Sequence, residues 1–423
     1  MTDQPDRRVF IASRVANEAV DGWLVDHAVV VEGDRIASVV PKSSLPTDIK
    51  NTATVFDLGD VSLLPGLIDA HCHMHCSATI DAQERAMTED VPRLTMRAVT
   101  AMRKALLAGT TTIRDLGTRN EVAFPVRDAV QSGVIPGPRM LLAGTPITIT
   151  AGHCWFFGTE ADSTEDVITA VRTQVRLGAN VIKMMATGGM FTPTANPRRP
   201  QYPVETLAAA VSEAERMGVQ IVAHTLSANG VQNCVEAGIH NLIHARWYDM
   251  DPDAELDYRP DVVKRMADQG QWVDPTIGHQ LLGEEAKTQH GLAGAPIHWA
   301  VSAKEIPNSA HLELLNRMDE AGVRFTAGLD MGMVHAYHDL SAANAWAFVE
   351  WLGWSPWRAI YTATAGTAEG VRVGDIVGRI KPGMIADLAA FDGDPAQNIR
   401  HLNIASSVIQ NGVPVKLDNR NLV

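Results

Sequence analysis

The feature that most constrains the fold is a regular alternation of short apolar stretches with helix-length amphipathic stretches across the middle of the chain. Helical spacing of apolar residues is clear at 91–108, 163–177, 204–217 and 312–321. The apolar stretches, read as strands, are residues 64–70, 111–115, 140–143, 181–185, 220–223, 241–244, 272–275 and 324–328. Such alternation predicts a parallel sheet of strand–helix–strand units. Eight units over about 300 residues fit a (β/α)8 barrel, with a doubly wound sheet as the alternative.

The two ends of the chain have a different residue pattern, in which apolar and polar residues alternate over strand-length runs. A Gly33-Asp34 turn signal divides the run at 28–40, and Lys381-Pro-Gly and Gln410-Asn-Gly separate similar runs near the other end. Runs of this kind, divided by turn residues, predict antiparallel strands. We predict that residues 1–63 and 373–423 together form one small β-domain beside a barrel of residues 64–372.

Charge and composition exclude several classes of partner. The formal charge of −13 disfavours binding to phosphate backbones or anionic lipid. No apolar run reaches the roughly 20 residues of a membrane helix, and the N-terminus lacks a signal-peptide pattern. The four cysteines suggest a reducing compartment rather than a disulfide framework. We therefore expect a cytoplasmic protein with a small-molecule substrate and no nucleic-acid or membrane partner.

A histidine pair at the end of the first barrel strand indicates metal binding. The segment reads Pro65-Gly-Leu-Ile-Asp-Ala-His-Cys-His, so His71 and His73 are two residues apart. Residues i and i+2 of a strand share a face, and two imidazoles on one face have the spacing of transition-metal ligands. His75 would join them only if the strand continued.

Four further groups that can bind metal lie at the ends of other predicted strands. Lys183 lies on an apolar strand, His224 and His244 end two more, and Asp330 follows the last. A barrel active site is assembled from the C-terminal ends of several strands. An inward lysine on a barrel strand is costly unless it is paired or chemically modified. The sequence therefore predicts one metal site built from these side chains.

These motifs together resemble the metal-dependent amidohydrolase superfamily, in particular its imidazolonepropionase-like and prolidase-like branch. Segment 65–73 is similar to that superfamily's first barrel strand, and Val181-Ile-Lys-Met-Met-Ala-Thr-Gly-Gly is similar to the fourth strand of the prolidase-like branch. Residues 31–37 and 378–388 resemble the two halves of its composite β-sandwich. The resemblance implies a (β/α)8 TIM barrel with a small composite β-sandwich domain built from both chain ends.

The resemblance also implies a ligand set for two divalent metal ions, with zinc as the expected metal. His71, His73 and Asp330 would hold the more buried ion, and His224 and His244 the more exposed one. Lys183, carboxylated by carbon dioxide to a carbamate, would bridge the ions together with a hydroxide. As that hydroxide attacks, Asp330 would take its proton and deliver it to the leaving nitrogen.

The expected activity is hydrolysis of the amide bond of a dipeptide or an N-acyl amino acid. His153, in a segment resembling a Gly-His-Gly motif of the branch, would polarise the substrate carbonyl or bind substrate. Cys154 replaces the second glycine of that motif, and Ala245 replaces a glycine that the family has after the sixth-strand histidine. Residues expected to bind the substrate carboxylate are His153, Arg246 and Tyr248, with Arg198 and Arg199 as further candidates. Aromatic residues expected around the acyl group are Trp155, Phe156, Phe157, Phe191 and Trp247.

Other functions stay open at this stage. A cyclic amide or a neutral aryl amide would suit the same metal site. A metal-dependent deaminase is disfavoured because Lys183 is present and because Thr-Leu-Ser, rather than a nearby glutamate, follows His224. A catalytically inactive barrel that serves as a scaffold is disfavoured because every ligand position is filled. We expect a homo-oligomer.

Overall fold

The protein is described from a computed structural model, which covers residues 7–292 and 308–423. Its first part is a run of five strands in which β1 pairs antiparallel with β2 and parallel with β4 and β5. The strands are β1 (Arg7–Ala16), β2 (Trp23–Glu32), β3 (Arg35–Pro41), β4 (Thr54–Asp57) and β5 (Val61–Pro65). The turn between β2 and β3 contains Gly33 at φ 63°, as the Gly-Asp signal predicts.

The central part is a ring of parallel strands. Its strands and two short connecting ones are β6 (Leu67–Cys72), β7 (Thr110–Asp115), β8 (Arg139–Leu142), β9 (Ile147–Thr148), β10 (Thr159–Glu160), β11 (Val181–Met185), β12 (Gln220–Ser227), β13 (Asn241–Tyr248), β14 (Trp272–Asp274) and β15 (Arg324–Phe325). β6–β8 form one parallel sheet, and β9–β15 form a second one. The Asn180 N–H donates to the Leu142 carbonyl at 2.8 Å, and the Ala70 N–H donates to the Ala327 carbonyl at 2.8 Å. These two hydrogen bonds join the sheets on both sides and close the barrel.

Helices cover the outside of the barrel and alternate with its strands. In the described ranges α1 (Thr47–Thr52) connects β3 and β4 of the first part, and the helices after it are α2 (Ala82–Thr88), α3 (Val91–Ala108), α4 (Asn120–Gln131), α5 (Thr164–Arg176), α6 (Val204–Arg216), α7 (Ala228–Ala237), α8 (Pro260–Asp268), α9 (Ile277–His290), α10 (Asn308–Glu320), α11 (Ala343–Glu350), α12 (Pro356–Tyr361) and α13 (Thr367–Gly370). Local sequence sets their ends: Ser163 forms a capping box with Asp166 at the start of α5, and Gly109, at φ 109°, ends α3. None of the helices in these ranges is long and apolar enough to cross a bilayer.

The last strands return to the first ones. They are β16 (Leu388–Asp392), β17 (Ser407–Gln410), β18 (Val413–Leu417) and β19 (Arg420–Asn421). β16 pairs antiparallel with β5, so that, among the described residues, nine strands form one sheet in the order β19-β18-β17-β16-β5-β1-β2-β3, with β4 on β1. Arg139 of barrel strand β8 reaches this sheet and forms an ion pair with Asp387 at 3.2 Å.

The predicted fold class, an α/β barrel beside a β-domain built from both chain ends, is confirmed. The division at residues 63 and 373 stays a prediction. The predicted first barrel strand differs at its start, since Leu64 and Pro65 belong to β5 and pair with β16. The chain bends at Gly66, where a Cβ atom would lie 2.0 Å from the Thr111 hydroxyl, so only glycine lets the sheet pass directly into the barrel.

Candidate active site

A cavity of about 230 Å³ opens at the C-terminal ends of the barrel strands. All nine of the predicted site residues line it: His71, His73, His153, Lys183, His224, His244, Arg246, Tyr248 and Asp330. A larger groove of about 410 Å³ lies elsewhere, against Arg139 and Gln410, and histidine, cysteine and acidic side chains are absent from its described lining. Of these two described linings, only that of the smaller cavity carries groups that can bind a metal.

One cluster in this cavity has the composition of a metal site. The Nε2 atoms of His71 and His73 each lie 3.3 Å from Oδ1 of Asp330. These three side chains are buried, and their potential ligand atoms all lie within 4.8 Å of one another. His71 and His73 come from the end of β6, and Asp330 follows β15 at φ 63°, a left-handed conformation that costs an aspartate of order 1 kcal/mol or more.

Two of these histidines, His73 and His244, are held in orientations that leave Nε2 available. The Nδ1–H of His73 donates to the Gly117 carbonyl at 2.7 Å, and Nδ1 of His244 shares a 2.8 Å hydrogen bond with the Thr276 hydroxyl. A Cβ atom at residue 117 would lie 3.0 Å from the His73 ring, so glycine allows this close approach. A histidine that binds a metal through one ring nitrogen commonly forms a hydrogen bond of this kind through its other ring nitrogen. Burial lowers the pKa of His71, His224 and His244 well below the usual range, which favours the neutral ligand form.

Lys183 lies on β11 beside the cluster, with its Nζ 3.4 Å from Nε2 of His71. The side chain is 1% exposed, and in the described part of the chain no carboxylate forms an ion pair with it. Burial lowers its pKa to about 8. The ring centroids of His224 and His244 are 4.8 Å apart, and the centroid of His71 lies 5.5 Å from that of His244. The four histidines, Lys183 and Asp330 thus form one continuous group.

Asp330 is the carboxylate of this group. Burial alone would raise its pKa, but the imidazoles of His71 and His73 outweigh that effect and lower it well below the usual range. An anionic Asp330 is the protonation state that a divalent cation requires of a carboxylate ligand.

A second wall of the cavity carries His153, Arg246 and Tyr248. The His153 ring lies 4.4 Å from that of His224, and burial lowers its pKa to about 3. Burial is also the main cause that lowers the pKa of Arg246. The Arg246 guanidinium forms neither an ion pair nor a hydrogen bond with the described residues, and the same is true of the Tyr248 hydroxyl. A half-buried guanidinium that has no ion pair or hydrogen bond among the described residues is suited to an anionic ligand.

Several candidate residues lie outside the cavity. His75 is fully buried with its Nδ1 3.0 Å from the Thr118 hydroxyl, because the chain leaves the strand after Cys72. Arg199 is exposed, and the Arg198 guanidinium binds backbone carbonyls at 249–252 instead of facing the cavity.

Of the five aromatic residues expected around the acyl group, only Phe157 and Phe191 line the cavity. Trp155 is 40% exposed, and Phe156 packs against its aromatic neighbours. Trp247 is buried on the other side of β13, where its ring lies 5.3 Å from that of Tyr258. Adjacent residues of a strand point in opposite directions, so Trp247 cannot share the cavity with Arg246 and Tyr248.

Other lining residues were not among the predicted ones. Thr276, His279 and Gln280 follow β14 at the same end of the barrel, and Gln83 comes from α2. The rule that site residues follow barrel strands would have found the first three. No sequence signal identifies Gln83, whose position depends on a long-range hydrogen bond to the Phe191 carbonyl.

Comparison with known families agrees with this geometry. The profile of the Amidohydrolase family matches residues 62–416, and that of the NagA composite domain matches residues 20–54. The chain belongs to the amidohydrolase family. This amidohydrolase is accordingly a hydrolase that acts on carbon–nitrogen bonds, and amidohydrolases generally use metal ions, in agreement with the His71, His73 and Asp330 group.

Similar proteins include both sequences and solved structures. Ochratoxinase from Aspergillus niger is 27% identical over 412 residues, which cover 90% of this amidohydrolase and 80% of the relative. A crystal structure of a Xaa-Pro dipeptidase with bound methionine in the active site has a TM-score of 0.84 and 25% identity, covering 97% of this chain and 100% of that one. A prolidase complexed with N-methylphosphonate-L-proline has a TM-score of 0.81 and 25% identity over 97% and 100% of the two chains.

Proposed function

We propose that this protein is a binuclear metal amidohydrolase that cleaves the amide bond of a dipeptide or an N-acyl amino acid. The observation that carries the proposal is the convergence, in one cavity, of the histidines His71, His73, His224 and His244, a buried lysine and an aspartate with an arginine that has no ion pair among the described residues. This convergence supports a site for two cations beside a group that would bind a substrate carboxylate.

The residues fit two divalent cations, which we expect to be zinc. His71, His73 and Asp330 would hold one ion, and His224 and His244 the other. The fit rests on the burial of His71, His73 and Asp330 and on the hydrogen bonds of His73 and His244, each of which leaves Nε2 available. When bound, the ions supply Lewis-acid activation of water and of the amide carbonyl.

Lys183 would complete the ligand set as a carbamate. Its amine would add to the carbon of carbon dioxide and release a proton to solvent, which replaces a buried cation with an anionic oxygen ligand. The side chain's burial without an ion pair among the described residues supports this role, because burial of an unmodified ammonium is costly unless it is closely paired.

Asp330 would carry the proton during hydrolysis. Water attacks the amide carbonyl carbon and one of its protons moves to the Asp330 carboxylate; the carbon–nitrogen bond then breaks as that proton is delivered to the leaving nitrogen. His153, on the opposite wall, would bind the substrate carbonyl, and its pKa of about 3 means that it would do so as a neutral imidazole.

Arg246 and Tyr248 would bind the carboxylate of the leaving amino acid. A guanidinium pairs with a carboxylate through two parallel hydrogen bonds, and a phenol donates one more. The acyl group would contact the apolar part of the lining, which includes Phe157, Phe191, Met333 and Val334. The relatives support an amino-acid product, since they include a Xaa-Pro dipeptidase with bound methionine and a prolidase with a proline phosphonate.

The test measures metal content and substrate range together. Protein prepared with zinc and bicarbonate should hold about two metal ions per chain by elemental analysis and should hydrolyse N-acyl amino acids or dipeptides faster than cyclic or aryl amides. His71→Asn should lose metal and activity, whereas the control His290→Asn, at an exposed histidine, should retain both. One metal per chain, or a preference for neutral amides, would contradict the proposal. A cytoplasmic location and a homo-oligomeric assembly stay predictions.

A further inference from the structure

Arg198 is a buried cation without a carboxylate partner among the described residues. It is 8% exposed and lies in the segment between β11 and α6. Its own N–H donates to Oδ1 of Asn196 at 2.9 Å, which fixes the local turn. Burial of a charge is costly unless other groups replace its hydration, so the contacts of the guanidinium indicate its role.

Those contacts all belong to the end of β13 and the residues after it. Nη1 donates to the carbonyls of Asp249 and Asp251 at 2.8 and 3.2 Å, and Nη2 donates to that of Pro252 at 3.5 Å. The guanidinium carbon also lies 5.3 Å from the centroid of the Tyr248 ring. Backbone carbonyls and an aromatic face thus compensate the charge, and Arg198 joins the loop after β11 to the loop after β13.

A second element contacts the same tyrosine. His311, a 5%-exposed residue of α10, packs its ring edge-on against Tyr248 with centroids 5.5 Å apart and an interplanar angle of 81°. The Tyr248 ring is therefore fixed by two neighbours from other parts of the chain, while the residue lines the cavity and its hydroxyl has no partner in the described residues.

We propose that Arg198 is a positioning residue that holds Tyr248 where its hydroxyl can bind the substrate carboxylate. This inference rests on the proposed function, because it assigns Tyr248 to the carboxylate. A planar guanidinium is required, since it must contact three carbonyls and lie over the ring at once. Without it, the loop 249–252 loses the group that joins its carbonyls, and Tyr248 loses one of the two contacts that fix its ring.

The experiment measures binding of L-methionine and of L-methioninamide to the zinc-loaded protein by calorimetry, because these ligands differ only at the carboxylate. The wild type should bind L-methionine at least tenfold more tightly than its amide. Arg198→Met should weaken L-methionine binding about tenfold and leave amide binding within twofold, and Arg198→Lys should give an intermediate loss. Tyr248→Phe should lose the same preference, and Arg199→Met, at the exposed neighbour, should keep it. In kinetics with N-acetyl-L-methionine, Arg198→Met should raise KM with kcat changed by less than threefold.

The outcomes separate the two proposals. If Tyr248→Phe loses the preference while Arg198→Met and Arg198→Lys keep it, the positioning role is wrong and the proposed function stands. If Arg198→Met weakens both ligands equally, the residue only supports the fold, and the inference is again wrong. If the wild type does not distinguish acid from amide, carboxylate recognition fails, and the inference fails with it.

Discussion

The ion pair between the barrel and the β-sheet allows a quantitative prediction about stability. Asp387 has a side chain that is 2% exposed, and its Oδ2 lies 3.2 Å from Nη2 of Arg139, which is 25% exposed. Its Oδ1 accepts a 2.7 Å hydrogen bond from the Asn411 N–H. Replacement of Arg139 by methionine keeps most of the apolar stem and removes the charge, so it isolates what the guanidinium contributes.

The expected loss of stability depends on the interactions that Asp387 keeps when Arg139 is replaced. Removal of one partner of a fully buried ion pair costs about 3–5 kcal/mol, and a hydrogen bond to a charged group contributes about 1.5–3 kcal/mol. Because Arg139 is partly solvated and the hydrogen bond from Asn411 remains, the range for a hydrogen bond to a charged group, about 1.5–3 kcal/mol, applies. Arg139→Met should therefore lower the free energy of unfolding by about 2–3 kcal/mol at pH 8.

The loss of stability in Arg139→Met should depend on pH, and the pKa of Asp387 determines whether it grows or shrinks as the pH rises. Burial raises this pKa above its unfolded value, and Arg139 opposes the rise. In Arg139→Met the folded-state pKa should rise further, so the folded state binds the proton more tightly than the unfolded chain. The loss in the free energy of unfolding is therefore largest above the folded-state pKa of Asp387. It becomes smaller as the pH falls towards the unfolded-state pKa of about 4.

Urea unfolding of metal-free protein at pH 8 and pH 5 provides the assay, because metal affinity is itself pH-dependent and would obscure the comparison. Asp387→Asn in the Arg139→Met background should recover most of the loss at pH 8, since an amide needs no counter-charge and its oxygen can still accept from Asn411. A double variant as unstable as Arg139→Met would show that packing, not the buried charge, was lost, and the reasoning would be wrong.

Three further predictions concern the proposed site. Lys183→Ala should lose at least one of two metal ions by elemental analysis while the exposed control Lys264→Ala loses none, and equal metal in both would exclude a bridging lysine. Asp330→Asn should lower kcat by at least about 10²–10⁴-fold, since an amide cannot accept the proton; retention of a tenth of the wild-type kcat would assign proton transfer to another group. Arg246→Met should remove a charge-assisted pair of about 1.5–3 kcal/mol, so kcat/KM for an N-acyl amino acid should fall about 10- to 150-fold while that for its primary amide stays level. An equal fall for both compounds would mean that Arg246 does not bind the carboxylate.

The fold could be predicted because the spacing of apolar residues along the chain shows which face of each helix or strand is buried. Helix α3 has the predicted bounds, and each of the eight predicted strands overlaps a barrel strand. The error at Leu64 and Pro65 arose because a continuous apolar run does not reveal that a strand changes sheets. That change depends on the close approach of Gly66 to Thr111, a contact between residues far apart in the sequence.

The candidate site was predictable where strands position it and less so where loops do. Residues at strand ends, such as Lys183 and His224, inherit their direction from the alternation of the strand. Arg198 and Trp155 lie in loops, where the direction of a side chain is set by tertiary contacts that the sequence does not display. Trp247 lies on β13 beyond residue 244, where the predicted strand ends, so its alternation with Arg246 and Tyr248 was not predicted.

Because β5 pairs with β16, that edge of β5 stays unpaired until the ribosome has synthesised most of the chain. Residues 66–387 separate the two strands, and at about 5–20 residues per second the ribosome needs roughly 15–60 s to produce them. During that interval β5, Val61-Ser-Leu-Leu-Pro, presents an apolar edge that is buried in the finished protein. Unpaired apolar edges template intermolecular strand pairing. Nascent or truncated chains that end before β16 should therefore depend on chaperones or aggregate, although the whole barrel has already been translated.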